Sequence, residues 1–135
     1  MTITTVVGAV IVDSVDTPTR LVAARRSGSH AGRWEFPGGK VESEEDAKSA
    51  VVREVLEELG ALTEVASEVA PAGSGWAISD ALVLRLFLVR VVQGTLMPGT
   101  SHDLIEWVGS EEIDELDWLP SDRSALASVR RSLGW

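Results

Sequence analysis

The chain has 135 residues and a formal net charge of −9, from 21 acidic and 12 basic residues. This acidic balance argues against a nucleic-acid or anionic-membrane surface, because phosphate backbones bind clustered Lys and Arg side chains. No cysteine is present, which excludes a disulfide framework and a Cys-based zinc site. The length indicates one domain, residues 1–135. With neither a signal peptide nor a membrane span indicated at the start, we expect a cytoplasmic protein.

Strand, loop and turn signals alternate in the first third of the chain. β-Branched residues predict a strand at 4–12, and an apolar run predicts a second strand at 20–25. The Gly/Ser-rich segment "RSGSHAGR" follows as a loop. After a short extended piece at 34–36, Pro37, Gly38 and Gly39 predict a turn of the kind that glycine tolerates most easily.

A helix is predicted from about residue 44 to residue 59. The sequence "SEED" at 43–46 has the Ser-x-x-acid form of a helix N-terminus, and Gly60 stands where a C-cap glycine belongs. Glu54, Glu57 and Glu58 recur at i, i+3 and i+4, a spacing that gathers three carboxylates on one face and favours a bound cation there. The buried face is predicted on another side and comprises Ala47, Val51, Val52, Val55, Leu56 and Leu59.

The second half of the chain predicts two further strands and two further helices. The segment "ALVLRLFLVRVV" at 81–92 is apolar and β-branched and therefore predicts a central strand, and residues 104–108 predict another. A short acidic helix near 110–115 and a longer helix at about 121–132 complete the chain. Because strands outnumber helices and their order is mixed, we predict an α/β fold with a mixed β-sheet flanked by helices.

One segment carries a family resemblance. From Gly39 to Ala61 the chain reads "GKVESEEDAKSAVVREVLEELGA", which matches the Nudix box at every fixed position. The upstream "GRWEFPGGKVE" and the downstream "EWV" and "WLPSDR" further resemble the MutT-type nucleoside triphosphate pyrophosphohydrolases. The resemblance implies the Nudix α/β/α sandwich, hydrolysis of a nucleoside diphosphate linked to another moiety, and Mg²⁺ as cofactor, with Mn²⁺ as a substitute.

The resemblance also assigns roles within the box. Mg²⁺ is a hard ion that prefers oxygen ligands, which carboxylates on one rigid helix face supply well. Arg53 matches the structural arginine of the family, which would hold a box carboxylate in place, and Glu45 is a candidate to support it. Together with Arg53 the three glutamates are the predicted catalytic residues. The implied metal ligands are the backbone carbonyl of Gly39 and the side chains of Glu54, Glu57 and Glu58.

Substrate binding is predicted to depend on the metal and on basic side chains, since no Walker A loop is present. Arg26 and Lys40 are the predicted phosphate contacts, and Arg26 matches the position of a nucleotide-contacting arginine in MutT-type enzymes. Trp34 and Trp76 are candidates for stacking on a base. The resemblance implies a small-molecule nucleoside triphosphate as ligand and water attack that yields nucleoside monophosphate and pyrophosphate. It leaves monomer and homodimer open.

The chain departs from the family pattern at Ser101. MutT-type relatives usually carry an acidic residue at this position, on a loop thought to supply a metal ligand or general base, and serine cannot replace a carboxylate. His102 and Asp103 are candidates to serve instead if the loop shifts, and a loop histidine bonded to backbone is the structural alternative for His102. The other alternative is that Glu54 or Glu57 acts as the base.

Asp122, in "WLPSDR", stands just before the last predicted helix. In the MutT-type resemblance this side chain meets the edge of the nucleobase, with Asn there in enzymes that favour 8-oxoguanine. An ionised Asp only accepts hydrogen bonds, which suits the amino group of cytosine and favours dCTP, CTP or 5-methyl-dCTP. Oxidised guanine, as in 8-oxo-dGTP, is retained if Asp122 meets its N7–H. A helix cap formed by Ser121 or Asp122 is the structural alternative.

Two other functions stay open. Other Nudix hydrolases act on ADP-ribose or dinucleoside polyphosphates and share the box. A nucleotide-binding Nudix module without turnover is the second alternative. Such a module is expected to lack box carboxylates, and all of them are present here.

Overall fold

The computed structural model describes residues 2–70 and 75–135. The strands are β1 (Thr4–Ile11), β2 (Leu21–Arg26), β3 (Trp34–Glu35), β4 (Gly38–Lys40), β5 (Leu62–Glu68), β6 (Trp76–Ala77), β7 (Leu82–Gln93) and β8 (His102–Val108). The helices are α1 (Ala47–Leu59), a 3-10 turn (Ile113–Glu115) and α2 (Pro120–Leu133). None of the helices within the described ranges is long and apolar enough to cross a membrane.

The strands form two sheets. The larger sheet has the order β4-β1-β7-β5, and β6 also pairs with β7. Its central pair, β1 and β7, is parallel in a register that runs from Thr4–Leu82 to Ile11–Val89, whereas the other pairs are antiparallel. The smaller sheet, β3-β2-β8, is antiparallel. The predicted α/β class with a mixed sheet is therefore confirmed.

The two core clusters lie on opposite faces of β1, because successive side chains of a strand point to opposite sides. Val7, Ala9 and Ile11 belong to the cluster that α1 covers. Val10 and Val12 belong to the cluster that includes the smaller sheet and α2. The helices thus cover the strands from two sides, as the sandwich implied by the resemblance requires.

Helix α1 begins later and buries a narrower face than the sequence predicts. Its N-cap is Asp46, whose carboxylate accepts a hydrogen bond from the Ser49 N–H at 2.7 Å, and it ends at Gly60 with φ of 75°. The buried residues are Ala50, Val51, Val55 and Leu59. Leu56 is 50% exposed, so its assignment to the buried face is wrong.

The predicted turn at Pro37–Gly39 is also wrong, because Gly38 and Gly39 belong to β4 and pair with β1. Neither glycine has a positive φ. Glycine is required at both positions because a side chain would not fit. A Cβ on Gly38 would lie 1.8 Å from the Val7 carbonyl oxygen, and a Cβ on Gly39 would lie 2.5 Å from the Glu54 carboxylate. The two glycines therefore let β4 approach both β1 and α1.

The later elements agree better with the sequence, with one omission. The predicted strands at 81–92 and 104–108 correspond to β7 and β8, and the predicted helix at 121–132 corresponds to α2. Strands β5 and β6 are not predicted. The edge strand β5 reads "LTEVASE" and buries only Thr63 fully, so it lacks the apolar alternation by which strands are recognised.

Candidate active site

A cleft of about 570 Å³ opens beside β4, between the smaller sheet and the start of α2. Its lining combines apolar side chains with basic and acidic groups. Three of the predicted substrate-binding residues, Arg26, Lys40 and Asp122, lie in this cleft. Its other charged and aromatic lining residues within the described ranges are His30, Glu35 and Phe36.

Next to β4, whose residues line the cleft, the Arg53 guanidinium gathers carboxylates from α1 and the segment before it. Its Nε donates to Glu45 at 2.7 Å, and its Nη1 donates to Glu54 at 2.8 Å and to Glu57 at 3.3 Å. Its Nη2 donates to the Lys40 carbonyl oxygen at 3.1 Å, which joins α1 to β4. Hydrogen bonds from Arg53 lower the pKa of Glu45 to about 2, and the same bonds raise the pKa of Arg53.

Glu58 is in a different environment from its neighbours on α1. Its Oε1 accepts a hydrogen bond from the Gly38 N–H at 2.9 Å. Burial raises the pKa of Glu58 to about 7, nearby Glu35 and Glu54 add to that rise, and His102 opposes it. The ionised form is therefore costly in the protein alone, and a cation beside it would remove that cost.

Glu35 is a site residue that is absent from the residues predicted from the sequence. Its carboxylate accepts hydrogen bonds from Arg26 Nη1 at 3.1 and 3.2 Å, and it lies 2.8 Å from His102 Nε2. Ligand atoms of Glu35, Glu58 and His102 lie within 4.8 Å of one another. In the sequence, Glu35 is recognisable only as the acidic residue between Trp34 and Phe36 in "GRWEFPGGKVE". Its contacts with Arg26 and His102 become apparent only in the folded structure.

The residues present fit a divalent cation. Glu54, Glu57 and Glu58 project from one helix, and the Glu54 carboxylate occupies space that a Cβ at Gly39 would fill. The backbone carbonyl of Gly39 belongs to the same strand, β4, that Arg53 joins to α1. Oxygen donors dominate this set, as hard divalent ions prefer.

Asp122 lines the cleft beside Phe36, in the first turn of α2. Its Oδ1 accepts a hydrogen bond from the Phe36 N–H at 3.1 Å, and the residue is 4% exposed. Burial raises the pKa of Asp122 to about 7. The N-cap of α2 is Leu119, which makes no side-chain capping bond, so the alternative of a cap formed by Ser121 or Asp122 is wrong.

Other predicted residues lie away from the cleft. Asp103 follows His102 on β8 and points to the other side of the strand, where it pairs with Arg25 at 2.8 Å. The Ser101 carbonyl oxygen accepts a hydrogen bond from the Ser27 N–H. Trp34 is 9% exposed and packs in the core. The structure therefore does not support base stacking by Trp34 or a shift of Asp103 into the site.

Trp76 is partly buried against the core and does not line the cleft in the part of the chain described. A larger cavity of about 740 Å³ lies around Trp107. Its basic side chains are already engaged, Arg20 over the Trp107 ring and Arg90 with Glu64 at 3.1 Å. None of the residues predicted to bind metal or substrate lines this second cavity.

Comparison with known proteins is consistent with this geometry. The NUDIX domain family matches residues 3–129. A Mycobacterium tuberculosis protein named as a candidate 8-oxo-dGTP diphosphatase is 36% identical over 116 residues, which cover 85% of this chain and 82% of that protein. The CTP pyrophosphohydrolase of Escherichia coli is 36% identical over 104 residues, which cover 76% of this chain and 75% of that protein.

A solved structure shows the same architecture. The MutT NUDIX hydrolase from Burkholderia pseudomallei superposes with a TM-score of 0.78 at 26% identity, covering 96% of this chain and 99% of that chain. Enzymes of this family use divalent metal ions, which agrees with the carboxylates gathered on α1. The chain belongs to the NUDIX family and is a Nudix hydrolase.

Proposed function

We propose that the protein is a Mg²⁺-dependent nucleoside triphosphate pyrophosphohydrolase that releases nucleoside monophosphate and pyrophosphate. The observation that carries this proposal is the cleft beside β4. Buried Asp122 lines it together with Arg26 and Lys40, and the lining strand β4 contacts the carboxylates of α1 through the Gly38–Glu58 hydrogen bond. A nucleotide has the matching polarity, with phosphates at one end and a base at the other. The names of the two relatives support triphosphate substrates.

The carboxylates of α1 are proposed to hold the metal. Glu54, Glu57 and Glu58, with the Gly39 carbonyl, are the proposed ligands, and Mn²⁺ is a substitute ion. When bound, the ion would neutralise charge on phosphate oxygens and acidify a water molecule. Arg53 keeps Glu54 and Glu57 oriented, and its own position is set by Glu45.

Arg26 and Lys40 are proposed to contact the phosphates. Arg26 is held by two groups, since its Nε donates to the Ser29 carbonyl oxygen at 2.8 Å and its Nη1 donates to Glu35. Its Nη2 is the part of the guanidinium not used in these bonds. A guanidinium fixed in this way loses little conformational entropy when it binds phosphate.

The general base is proposed to lie on α1. Ser101 has no carboxylate, Asp103 is paired with Arg25, and the buried His102 ring is bonded to Glu35. This arrangement favours Glu54 or Glu57 as the base. Both residues are also proposed metal ligands, so either carboxylate would lie beside a water activated by the ion.

Asp122 is proposed to select the base. Its pKa of about 7 means that both protonation states are populated near neutral pH. The ionised carboxylate accepts from the cytosine amino group, whereas the protonated carboxyl also donates, as Asn does. We therefore propose dCTP, CTP or 5-methyl-dCTP as the preferred substrates in the ionised state, with 8-oxo-dGTP accepted when Asp122 is protonated.

A substrate panel tests the proposed function. Pyrophosphate, phosphate and nucleoside monophosphate release would be measured with Mg²⁺ from cytosine triphosphates, 8-oxo-dGTP, dGTP, ADP-ribose and a dinucleoside polyphosphate. Pyrophosphate release from a triphosphate supports the proposal. Faster cleavage of ADP-ribose or the dinucleotide would replace it with another Nudix hydrolysis, and nucleotide binding with no turnover would indicate a binding module. A Glu57→Gln protein purified in parallel controls for contaminating phosphatases.

We propose that the ligand is a free nucleotide in the cytoplasm, without a nucleic-acid or membrane surface. The support is the net charge of −9, which opposes binding to polyanions. Monomer and homodimer are both compatible with the cleft, which is formed within a single chain. Light scattering during size-exclusion chromatography distinguishes these two states.

A further inference from the structure

Glu35 lies at a junction of three elements that the mechanism above does not explain. It ends β3, contacts Arg26 at the end of β2, and contacts His102 at the start of β8. Its side chain is only 13% exposed. A mostly buried carboxylate with two side-chain donors is held in one orientation, and that orientation places it close to Glu58.

The burial of His102 indicates that its role at the junction is more than packing. Its side chain is fully buried, and its Nδ1 has no hydrogen-bond partner among the described residues. The ring is therefore fixed by its Nε2, which points at Glu35. Unsatisfied buried polar atoms are costly, so a histidine is a poor choice here if its only role is to fill space.

The missing carboxylate at position 101 connects these observations. Ser101 adjoins His102, but its side chain has no charge to contribute. Glu35, from a different element, places a carboxylate oxygen within 4.8 Å of ligand atoms of Glu58 and His102. The loop that lacks the acid and the strand that carries one thus meet at the same point.

We propose that Glu35 is a ligand of the divalent cation together with Glu58, in place of the acidic residue absent at position 101. His102 and Arg26 are positioning residues that orient the Glu35 carboxylate. This inference rests on the proposed function, because it places the ion at the same centre as the α1 carboxylates.

The hydrogen-bonding capacity of Glu35 is compatible with this role. A carboxylate has about four lone-pair sites, and Arg26 and His102 account for three bonds. A site therefore remains for an ion. Donors behind a ligating carboxylate are the usual outer partners that orient metal ligands, and their loss typically weakens metal binding about 10–100-fold.

Mn²⁺ binding without nucleotide tests the proposal, with free Mn²⁺ measured by electron paramagnetic resonance. Glu35→Gln is expected to raise the dissociation constant about 10-fold or more, as Glu58→Gln does. Asp103→Asn, one residue beyond His102 but on the other side of β8, is the matched control and is expected to change it less than about twofold. His102→Gln, which keeps a donor, should bind more tightly than His102→Leu.

The outcomes separate the two proposals. If Glu58→Gln weakens Mn²⁺ binding and a folded Glu35→Gln protein does not, the role of Glu35 is overturned while the proposed function stands. If the wild-type protein binds no Mn²⁺, both proposals fail. Should Glu35→Gln fail to fold, Glu35→Asp keeps the charge with a shorter reach. It is expected to melt near the wild-type temperature yet bind Mn²⁺ more weakly, and unchanged affinity would again overturn the role.

Discussion

Two groups of carboxylates in and beside the cleft have opposite electrostatic environments. Glu45, Glu54 and Glu57 surround the Arg53 guanidinium, and hydrogen bonds from Arg53 lower the pKa of Glu45 to about 2. Glu58 and Asp122 instead receive backbone N–H groups, and burial raises the pKa of each to about 7.

The difference is in how much each group depends on a ligand for compensation. The Arg53 group is already compensated within the protein, so its ion pairs help to fix α1 against β4. Glu58 is partly buried and Asp122 is buried, and neither has an arginine or lysine in its described hydrogen bonds. A carboxylate in that situation is destabilising when ionised. Their environments are explained if Glu58 meets a cation and Asp122 meets a base edge.

The largest expected effect is loss of turnover on neutralising a proposed metal ligand. Glu58→Gln and Glu57→Gln keep the side-chain shape but remove the ligand charge, and each is expected to lower kcat by at least about 100-fold. Circular dichroism checks that the fold is intact. Glu64→Gln, on β5 and paired with Arg90 outside the cleft, is the control. Wild-type rates in both box variants would show that the metal assignment is wrong.

The next effect is stabilisation by Mg²⁺. An ion that binds only the folded protein at about 100 times its dissociation constant contributes roughly 2.7 kcal/mol to the free energy of unfolding. The gathered carboxylates exist only in the folded chain, so Mg²⁺ should raise the melting temperature and EDTA should reverse the rise. Thermal unfolding followed by circular dichroism measures it. A melting temperature indifferent to both additions contradicts a metal site on α1.

Asp122→Asn tests the second of the two carboxylates whose pKa is raised by burial. At about pH 8 the wild-type Asp122 is ionised, and the variant is expected to lower kcat/KM for dCTP relative to 8-oxo-dGTP by about tenfold, roughly 1.4 kcal/mol. At about pH 6 the protonated Asp122 resembles Asn in its donor capacity, so the ratio should change less. Steady-state kinetics at both pH values measure this, with Ser121→Ala as control. A ratio that is unchanged at both pH values would remove Asp122 from base selection.

The same contrast shows how much of the site the sequence could predict. The carboxylates of α1 repeat at helical spacing within one short segment, so local periodicity is enough to bring them together. The Phe36–Asp122 bond joins residues 86 positions apart, and the Glu35–His102 contact joins residues 67 positions apart. Contacts of this kind depend on how β3, β8 and α2 pack, which no local pattern contains.

The errors in the predicted fold have a similar origin. The region around Gly38 was predicted as a turn because glycine commonly adopts positive φ, whereas the structure uses it for close approach to Val7. Leu56 fits the helical period of the buried face but is half exposed, because the neighbouring elements do not cover it. In both cases the neighbouring element, and not the residue type alone, decides the role of the residue.

A smaller effect is expected on stability without metal. The folded protein keeps protons on Glu58 and Asp122 up to about pH 7, whereas the unfolded chain releases them near its ordinary pKa values of 4.5 and 3.8. Their contribution to stability is therefore complete below those values and is lost as the pH rises through about 7. In EDTA at about pH 8, Glu58→Gln should raise the melting temperature by about 4 °C for each kcal/mol recovered.

Glu45→Gln is expected to shift the melting temperature in the opposite direction, and it controls for the replacement of a carboxylate by an amide. The pKa of Glu45 is lowered in the folded state, so its contribution is present above 4.5 and is lost only as the pH falls toward about 2. At about pH 8 this variant loses the ion pair with Arg53 and should melt below the wild type. Thermal unfolding in EDTA measures the melting temperatures of Glu58→Gln and Glu45→Gln. If both melting temperatures shift in the same direction, the distinction between the two groups of carboxylates is wrong.

The smallest expected effects lie on the loop that departs from the family. Ser101→Ala removes the Ser101 hydroxyl but keeps its backbone carbonyl, which is the group that accepts the hydrogen bond from the Ser27 N–H. Asp103→Asn weakens an exposed ion pair with Arg25. Exposed pairs contribute about 0–1 kcal/mol, so both variants should keep kcat within about twofold of wild type. Steady-state assays with Mg²⁺ measure this. A loss of about tenfold or more in Asp103→Asn would return the general base to the loop, whereas two silent variants leave Glu54 and Glu57 as the groups placed to accept the proton.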